Sequence, residues 1–402
     1  MRILHVDETF HPAFGYQCNP LAKFQAKQGN DVTIITVEAK HLYPVYREFG
    51  DNGEHLPEQD AEYERVSGVR VVRVPARGYV LGRLIYDYRA LFSAIEAAHP
   101  DAMMVHCLET LTSVRLLFRY SGEIPMVFDS HMLSMASKNP LAPIYDRCFR
   151  AFVTPKIKQG SYTVVKTQDD DYVTSHLGIP DNQARFISFG TDTDLFCPNR
   201  DAKTLFCKEK GLPEDCLVVV STGKLTEVKG GMIFADAVKR KFDSSREVVV
   251  VVLGGFADSY QQRVREVLGE SENRVFFYPV QQYLNLPYFY QIADVSVFPR
   301  QCSMSFYDSE ACGTPVISED NGVNKERNSH GNGLCFSAGD VDSLRGAIQR
   351  FARMDKAEYE GYSTNARNYV VKSYGYESIA ALYTEELERA RGAHLSATRK
   401  EL

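Results

Sequence analysis

Lys224 and Lys229 stand in a turn bounded by Gly223 and Gly230, after an apolar run and before a helical one. Ammonium groups neutralise phosphate, and glycine lets backbone N–H groups approach an anion closely, so this composition suits a diphosphate. The spacing is not that of a G-x-x-x-x-G-K-[ST] loop. Two solvated lysines beside a turn are the competing reading. A second candidate is Glu310, in the segment that runs from Cys302 to Pro315. Ser303 and Ser305 suit a helix start, Gly313 a helix stop, and Pro315 opens a further apolar run. A carboxylate there can accept two hydrogen bonds from a ribose diol. The alternative is a charge solvating a helix face, which the apolar neighbours Ala311 and Cys312 argue against. Asp169, Asp170 and Asp171 could hold magnesium, but such runs are usually helix starts or solvated faces. No essential metal is expected. His131, His5, His11 and His106 all lie near strand ends, where a lone histidine is more often packed than catalytic.

These residues need elements to position them. Continuous β-branched and apolar runs predict strands at residues 3–6, 31–36, 102–106, 126–128 and 162–166, and again at 216–221, 247–253, 274–277, 295–298 and 315–318. Runs of this kind are buried on both faces, as in parallel sheets covered by helices. Helical patterns alternate with them, at 19–28 and 231–241 among others. The expected class is therefore α/β, with two Rossmann-like doubly wound domains. Ligands bind at the carboxyl ends of such strands, and the lysine turn, the Glu310 segment and His131 each follow a predicted strand. The first domain is expected over 1–187 and the second over 188–372. A long helical stretch, 365–391, is expected near the end, with 373–402 returning to the first domain. Residues 37–68 read as an irregular insertion, and the last dozen are expected to fray. Segments 77–92 and 144–158 mix basic and apolar positions. They suit ordinary helices packed on a sheet, or in part a surface facing an anionic membrane.

The chain has 402 residues, 44% of them hydrophobic and 24% charged, with a net charge of −6. The length favours two domains. The acidic balance argues against a nucleic-acid partner, which would need a basic surface. Nine cysteines without a C-x-x-C pair suggest reduced core thiols and a cytoplasmic protein. No run approaches the roughly 18–20 apolar residues that span a bilayer, and no signal peptide is expected.

The run Glu310-Ala-Cys-Gly-Thr-Pro-Val-Ile resembles the distal half of the E-x7-E region of retaining GT-B-fold glycosyltransferases of the family-four type (group 1). Further similarities follow in order along the chain. Pro12-Ala-Phe-Gly15-Tyr16 is similar to the family's opening glycine loop, with Tyr16 in place of a second glycine. Phe128-Asp-Ser-His131 resembles the family histidine that faces the reacting sugar. The stretch from Ser188 to Pro198 resembles its linker. Gly223-Lys224 with Lys229-Gly230 resembles its Gly-Arg and Lys-Gly pairs, a lysine replacing the bidentate arginine. Cys302 stands where the family has its first glutamate, and Ser305 replaces a glycine.

The resemblance implies a GT-B fold, two such domains facing across a cleft, and transfer of a sugar from a UDP- or GDP-linked donor with retention. The acceptor would be a hydroxyl of a glycan, a lipid-linked or a small-molecule acceptor, as in polysaccharide biosynthesis, with peripheral contact to the cytoplasmic membrane face as an option. It makes His131, Lys224 and Lys229 the candidate catalytic residues. Gly15, Tyr16, Gly223, Lys224, Lys229, Val280, Ser305, Phe306 and Glu310 would bind the donor, with Glu310 on the ribose. Backbone groups around Val280 would meet the base, and those near Ser305 and Phe306 the phosphates or sugar. No cofactor beyond the nucleotide sugar is implied. A nucleotide-sugar epimerase of the same fold, or an impaired homologue acting as a binding partner, are the alternatives.

Overall fold

Strand β11 (Val248–Leu253) reads VVVVVL and is buried along its whole length. Its residues alternate between two cores: Val248, Val250 and Val252 face one layer, and Val249, Val251 and Leu253 the other. A two-residue period inside a continuous apolar run is what a sheet covered on both faces requires.

The computed structural model describes residues 1–48, 51–80, 82–132, 142–160, 162–256, 258–300 and 304–401. The chain divides into two compact units, Met1–Phe189 with Tyr376–Leu402, and Gly190–Gly375. Unit 1 contains β1 (Arg2–Val6), β2 (Asp31–Val37), β3 (Arg70–Val74), β4 (Ala76–Val80), β5 (Arg83–Tyr86), β6 (Ala102–Val105), β7 (Met126–Ser130), β8 (Thr163–Lys166) and β9 (Ala184–Phe186). Its main sheet has the order β3-β2-β1-β6-β7-β8-β9, all parallel. Unit 2 contains β10 (Leu217–Thr222), β11, β12 (Arg274–Tyr278), β13 (Val295–Phe298), β14 (Val316–Glu319) and β15 (Gly333–Phe336). Its sheet runs β12-β11-β10-β13-β14-β15, again parallel. Strand order reverses between β1 and β6 in one unit and between β10 and β13 in the other. These are the two places where such sheets offer ligand sites.

Several expectations are corrected. Residues 365–391 are not one helix: Lys356–Ser373 and Tyr376–Glu401 are separate. The Tyr374 carbonyl accepts the Thr191 N–H at 2.8 Å instead of extending the helix. The later helix packs in unit 1, where Tyr376, Ile379, Ala380, Tyr383 and Leu387 join the core beside β1 and β2. Its backbone is helical to Glu401. The helix expected over 231–241 stops at Ala237, because Asn273 and Arg345 side chains take the carbonyls of Val238, Arg240 and Lys241. Residues 37–68 include the helix Leu56–Ser67, ended by Gly68 in the left-handed region. Much of 77–92 is the antiparallel hairpin β4–β5, not a helix. Cys148 is exposed, unlike the buried Cys18, Cys207, Cys216 and Cys312. Among the described residues, no helix is long and apolar enough to cross a membrane.

Candidate active site

Gly223 follows β10 directly with φ +105°. A side chain there would approach Lys229 Nζ, 3.9 Å from the ideal Cβ position. The neighbouring strand end comes closer still. A Cβ on Gly254 would lie 2.5 Å from the Gly223 carbonyl oxygen, and one on Gly255 would lie 3.5 Å from Val280. Gly223, Lys229, Gly254, Gly255 and Val280 thus share the carboxyl edge of β10, β11 and β12. Lys224 is exposed and Lys229 half-buried. Gly230, at φ +74°, packs its backbone on Pro299 with only 2.9 Å from the ideal Cβ position to Pro299 Cβ. Arg300 clasps the same turn, donating to the Glu227 carbonyl at 3.0 Å. The lysine turn is therefore seated against the end of β13, across the strand-order reversal.

From the end of β13 the chain leads to the helix Ser305–Ala311, which carries Glu310. Gly313 follows at φ +77°. Glu310 is fully buried, so the solvated-face reading does not hold. Its Oε1 accepts a hydrogen bond from Asn332 Nδ2 at 2.8 Å. Its Oε2 is buried without a hydrogen-bond partner. Burial pushes its carboxyl well above the usual range, against the hydrogen bond from Asn332 and the nearby charge of Arg327. A buried acceptor left open is costly unless something donates to it. Phe306 is also fully buried, under the Arg327 guanidinium, so only its backbone is open to a ligand role. Ser305 is half-buried, close to the Tyr290 hydroxyl. Cys302 and Ser303 lie outside the described residues.

In unit 1, Gly15 and Tyr16 lie in the loop after β1. Tyr16 is 43% exposed, its ring tilted on Tyr46. Tyr46 is buried with Phe14 in a small apolar cluster that supports the loop. His131 follows β7 with its side chain 30% exposed and its ring stacked on Phe189, 5.2 Å between centroids. Its Nε2 lies 3.3 Å from Asp129 Oδ1, and its Nδ1 3.1 Å from Thr167 Oγ1. His5 and His106, set aside on sequence grounds, are buried behind it in the same polar chain. Two groups, His5 with Cys18 and His106, and His106 with Asp129 and His131, bring metal-ligating atom types within 4.8 Å of one another. Each ring nitrogen in them already has a protein neighbour at hydrogen-bond or ion-pair distance, so they are read as a hydrogen-bonded network. Of the aspartates 169–171, Asp170 caps a turn by accepting the Tyr172 N–H.

Comparison with known proteins agrees with this architecture. Residues 203–369 match the family model described as glycosyl transferases group 1, and residues 15–190 the glycosyl transferase 4-like domain. The chain belongs to the GT-B-type glycosyltransferases. Among curated relatives of this family, D-inositol 3-phosphate glycosyltransferase of Xylanimonas cellulosilytica is 25% identical over 213 residues. That match covers 49% of this chain and spans half the length of the relative. Two solved structures share the fold. A glycosyltransferase from Rickettsia africae has a TM-score of 0.69 at 12% identity, covering 97% of this chain and 98% of its own. HepE from Anabaena, in complex with UDP and glucose, has a TM-score of 0.65 at 17% identity, covering 96% and 99%. Within this glycosyltransferase, reading by motif missed Arg300, Arg327 and Asn332, which anchor the lysine turn and Glu310, and Asp129, His106 and His5, which back His131. Asn332, between Gly331 and Gly333, carried a turn signal but nothing tying it to Glu310.

Proposed function

We propose that this chain moves a sugar from a UDP- or GDP-linked donor to a hydroxyl of a glycan, glycolipid or small-molecule acceptor, with retention at the anomeric carbon. The observation that carries the reading is Glu310. It is a fully buried carboxyl with one oxygen held by Asn332 and the other unpartnered, on the helix that follows β13. A ribose diol supplies the donors that this oxygen lacks. The lysine turn seated on the end of the same strand suits the diphosphate. Anabaena HepE, solved with UDP and glucose, supports the donor class. The inositol phosphate glycosyltransferase keeps small acceptors in view.

The departing diphosphate gains charge as the glycosidic bond breaks. Lys224 and Lys229, with backbone amides of their turn, would stabilise that charge where it develops, so no essential metal is part of this proposal. Neither lysine is a nucleophile toward the sugar, and attack from the leaving-group face with help from the phosphate accounts for retention. Glu310→Gln, measured by calorimetric titration with the productive nucleotide sugar and its nucleoside diphosphate, should weaken both about equally. Unchanged affinity in a folded variant would remove Glu310 from the ribose.

A further inference from the structure

His131 belongs to a continuous buried chain in unit 1. Gln25 Oε1 lies 2.7 Å from His5 Nε2, His5 Nδ1 3.0 Å from His106 Nε2, and His106 Nδ1 2.7 Å from Asp129 Oδ2. Asp129 Oδ1 then faces His131 Nε2 at 3.3 Å. His5, Gln25 and Asp129 have no exposed surface, and His106 very little. The links come from four segments far apart in sequence, at the carboxyl ends of β1, β6 and β7 and in the helix Cys18–Lys27. Asp129 also accepts the Cys107 N–H at 2.7 Å. Cys107 is held at φ +59°, a left-handed conformation uncommon for a residue with a side chain. The backbone is thus strained at the point where it serves this carboxylate.

The direction of each bond follows from the partners. A carboxylate only accepts, so a proton on His106 Nδ1 and one on His131 Nε2 both face Asp129, the first in a hydrogen bond and the second at ion-pair distance. The Thr167 hydroxyl has one proton and two acceptors in reach, the Ser130 carbonyl at 3.0 Å and His131 Nδ1 at 3.1 Å; when it donates to the carbonyl it accepts from Nδ1. In that arrangement both nitrogens of His131 carry protons, and the ring is an imidazolium. Resting on the reading of this chain as a sugar transferase, we infer that Asp129, with His106 and His5 behind it, is a positioning device that holds His131 as a fixed cation, so that His131 serves the transfer by charge and not by exchanging a proton. With Nδ1 on Thr167 and Nε2 facing Asp129, the ring offers electron-rich substrate atoms its charge and C–H edge.

The surrounding electrostatics agree. Burial opposes the charge on His131, but Asp129, Glu109 and Asp7 outweigh it and raise its pKa. Burial and the neighbouring His106 lower His5 to about 3, leaving it neutral between Gln25 and His106. The other titratable groups around the chain are Cys18 beside His106, Cys107 next to Asp129, and Tyr383 from the helix Tyr376–Glu401.

The test is nitrogen NMR of the full chain labelled in histidine, with His131→Gln to assign the signal. At pH ~7.5, about one unit above the ordinary histidine value, both ring nitrogens of His131 should report an imidazolium. Asp129→Asn should return the ring to a neutral form there. The same variant should lose transfer on the alkaline side, about tenfold for each pH unit above the ring's new pKa, and recover as pH falls. A merely structural aspartate would not give that recovery. Should Asp129→Asn fail to fold, the wild-type spectrum still decides. A neutral ring with transfer intact overturns this inference alone. A charged ring in a chain that moves no sugar from any donor overturns the transferase reading on which it rests.

Discussion

Lys229 occupies a more constrained position than Lys224, half-buried where Lys224 is exposed and tied by Gly230 to the end of β13. A cation held in place before the leaving charge appears does more for the transition state than one that must first be ordered. Lys229→Ala should therefore lower kcat by about 10²- to 10³-fold, with a smaller loss for Lys224→Ala, in steady-state assays of nucleotide release. Equal and small effects would mean that neither lysine meets the diphosphate. At this scale the sequence was readable where one residue type at one place implies a chemistry, as with the lysines beside glycine. It was not readable where chemistry arises from pairing across the fold. Asn332 meets Glu310 across 22 positions, and His5 meets His106 across 101. Nothing in the local pattern of either partner announces the other.

The elements carry these residues through close backbone approaches. Gly230 is the clearest case, since its positive φ and its 2.9 Å clearance to Pro299 both exclude a side chain. Gly230→Ala should cost about 1–2 kcal/mol from the left-handed backbone alone, and it should push the lysine turn off β13. The expected result is a lower Tm together with a fall in donor affinity larger than Lys224→Ala produces. Unchanged donor binding would separate the turn from the site. Interior strands such as β10 and β11 were legible because apolar β-branched runs have no other comfortable place than between two helix layers. Of the edge strands β12 was legible, at 274–277, but β3, β9 and β15 were not. In β3, Arg70 and Arg73 break the apolar run, β15 has only four residues, and β9 three. The break at Tyr374 and Gly375 was hidden for a different reason. It depends on the bond from Thr191 N–H to the Tyr374 carbonyl, which is a tertiary contact.

At the scale of the molecule, each unit buries a carboxyl that resists ionisation. Burial raises Glu8 in unit 1 from 4.5 to about 7, and Asp308 in unit 2 from 3.8 to about 7. A group whose folded pKa lies above its unfolded value binds its proton more tightly in the fold. Its contribution to stability is greatest below the unfolded value and declines until pH passes the folded one. Replacing either by its amide removes that decline. In thermal unfolding, the Tm of Glu8→Gln and of Asp308→Asn relative to the native chain should rise steadily from pH ~4 to pH ~8. A difference that does not change with pH would show that these carboxyls ionise freely in the fold.

The central claim is transfer from a nucleotide-diphosphate sugar. The most direct measurement incubates the full chain with a panel of UDP-, GDP- and other nucleotide sugars and hydroxyl acceptors. It follows nucleoside diphosphate release and reads the anomeric configuration of the product by proton NMR. The account predicts that at least one donor binds and releases its diphosphate only as the sugar moves to an acceptor, with its configuration kept. It would be contradicted if no nucleotide sugar bound, or if the sugar came back epimerised and still joined to its nucleotide.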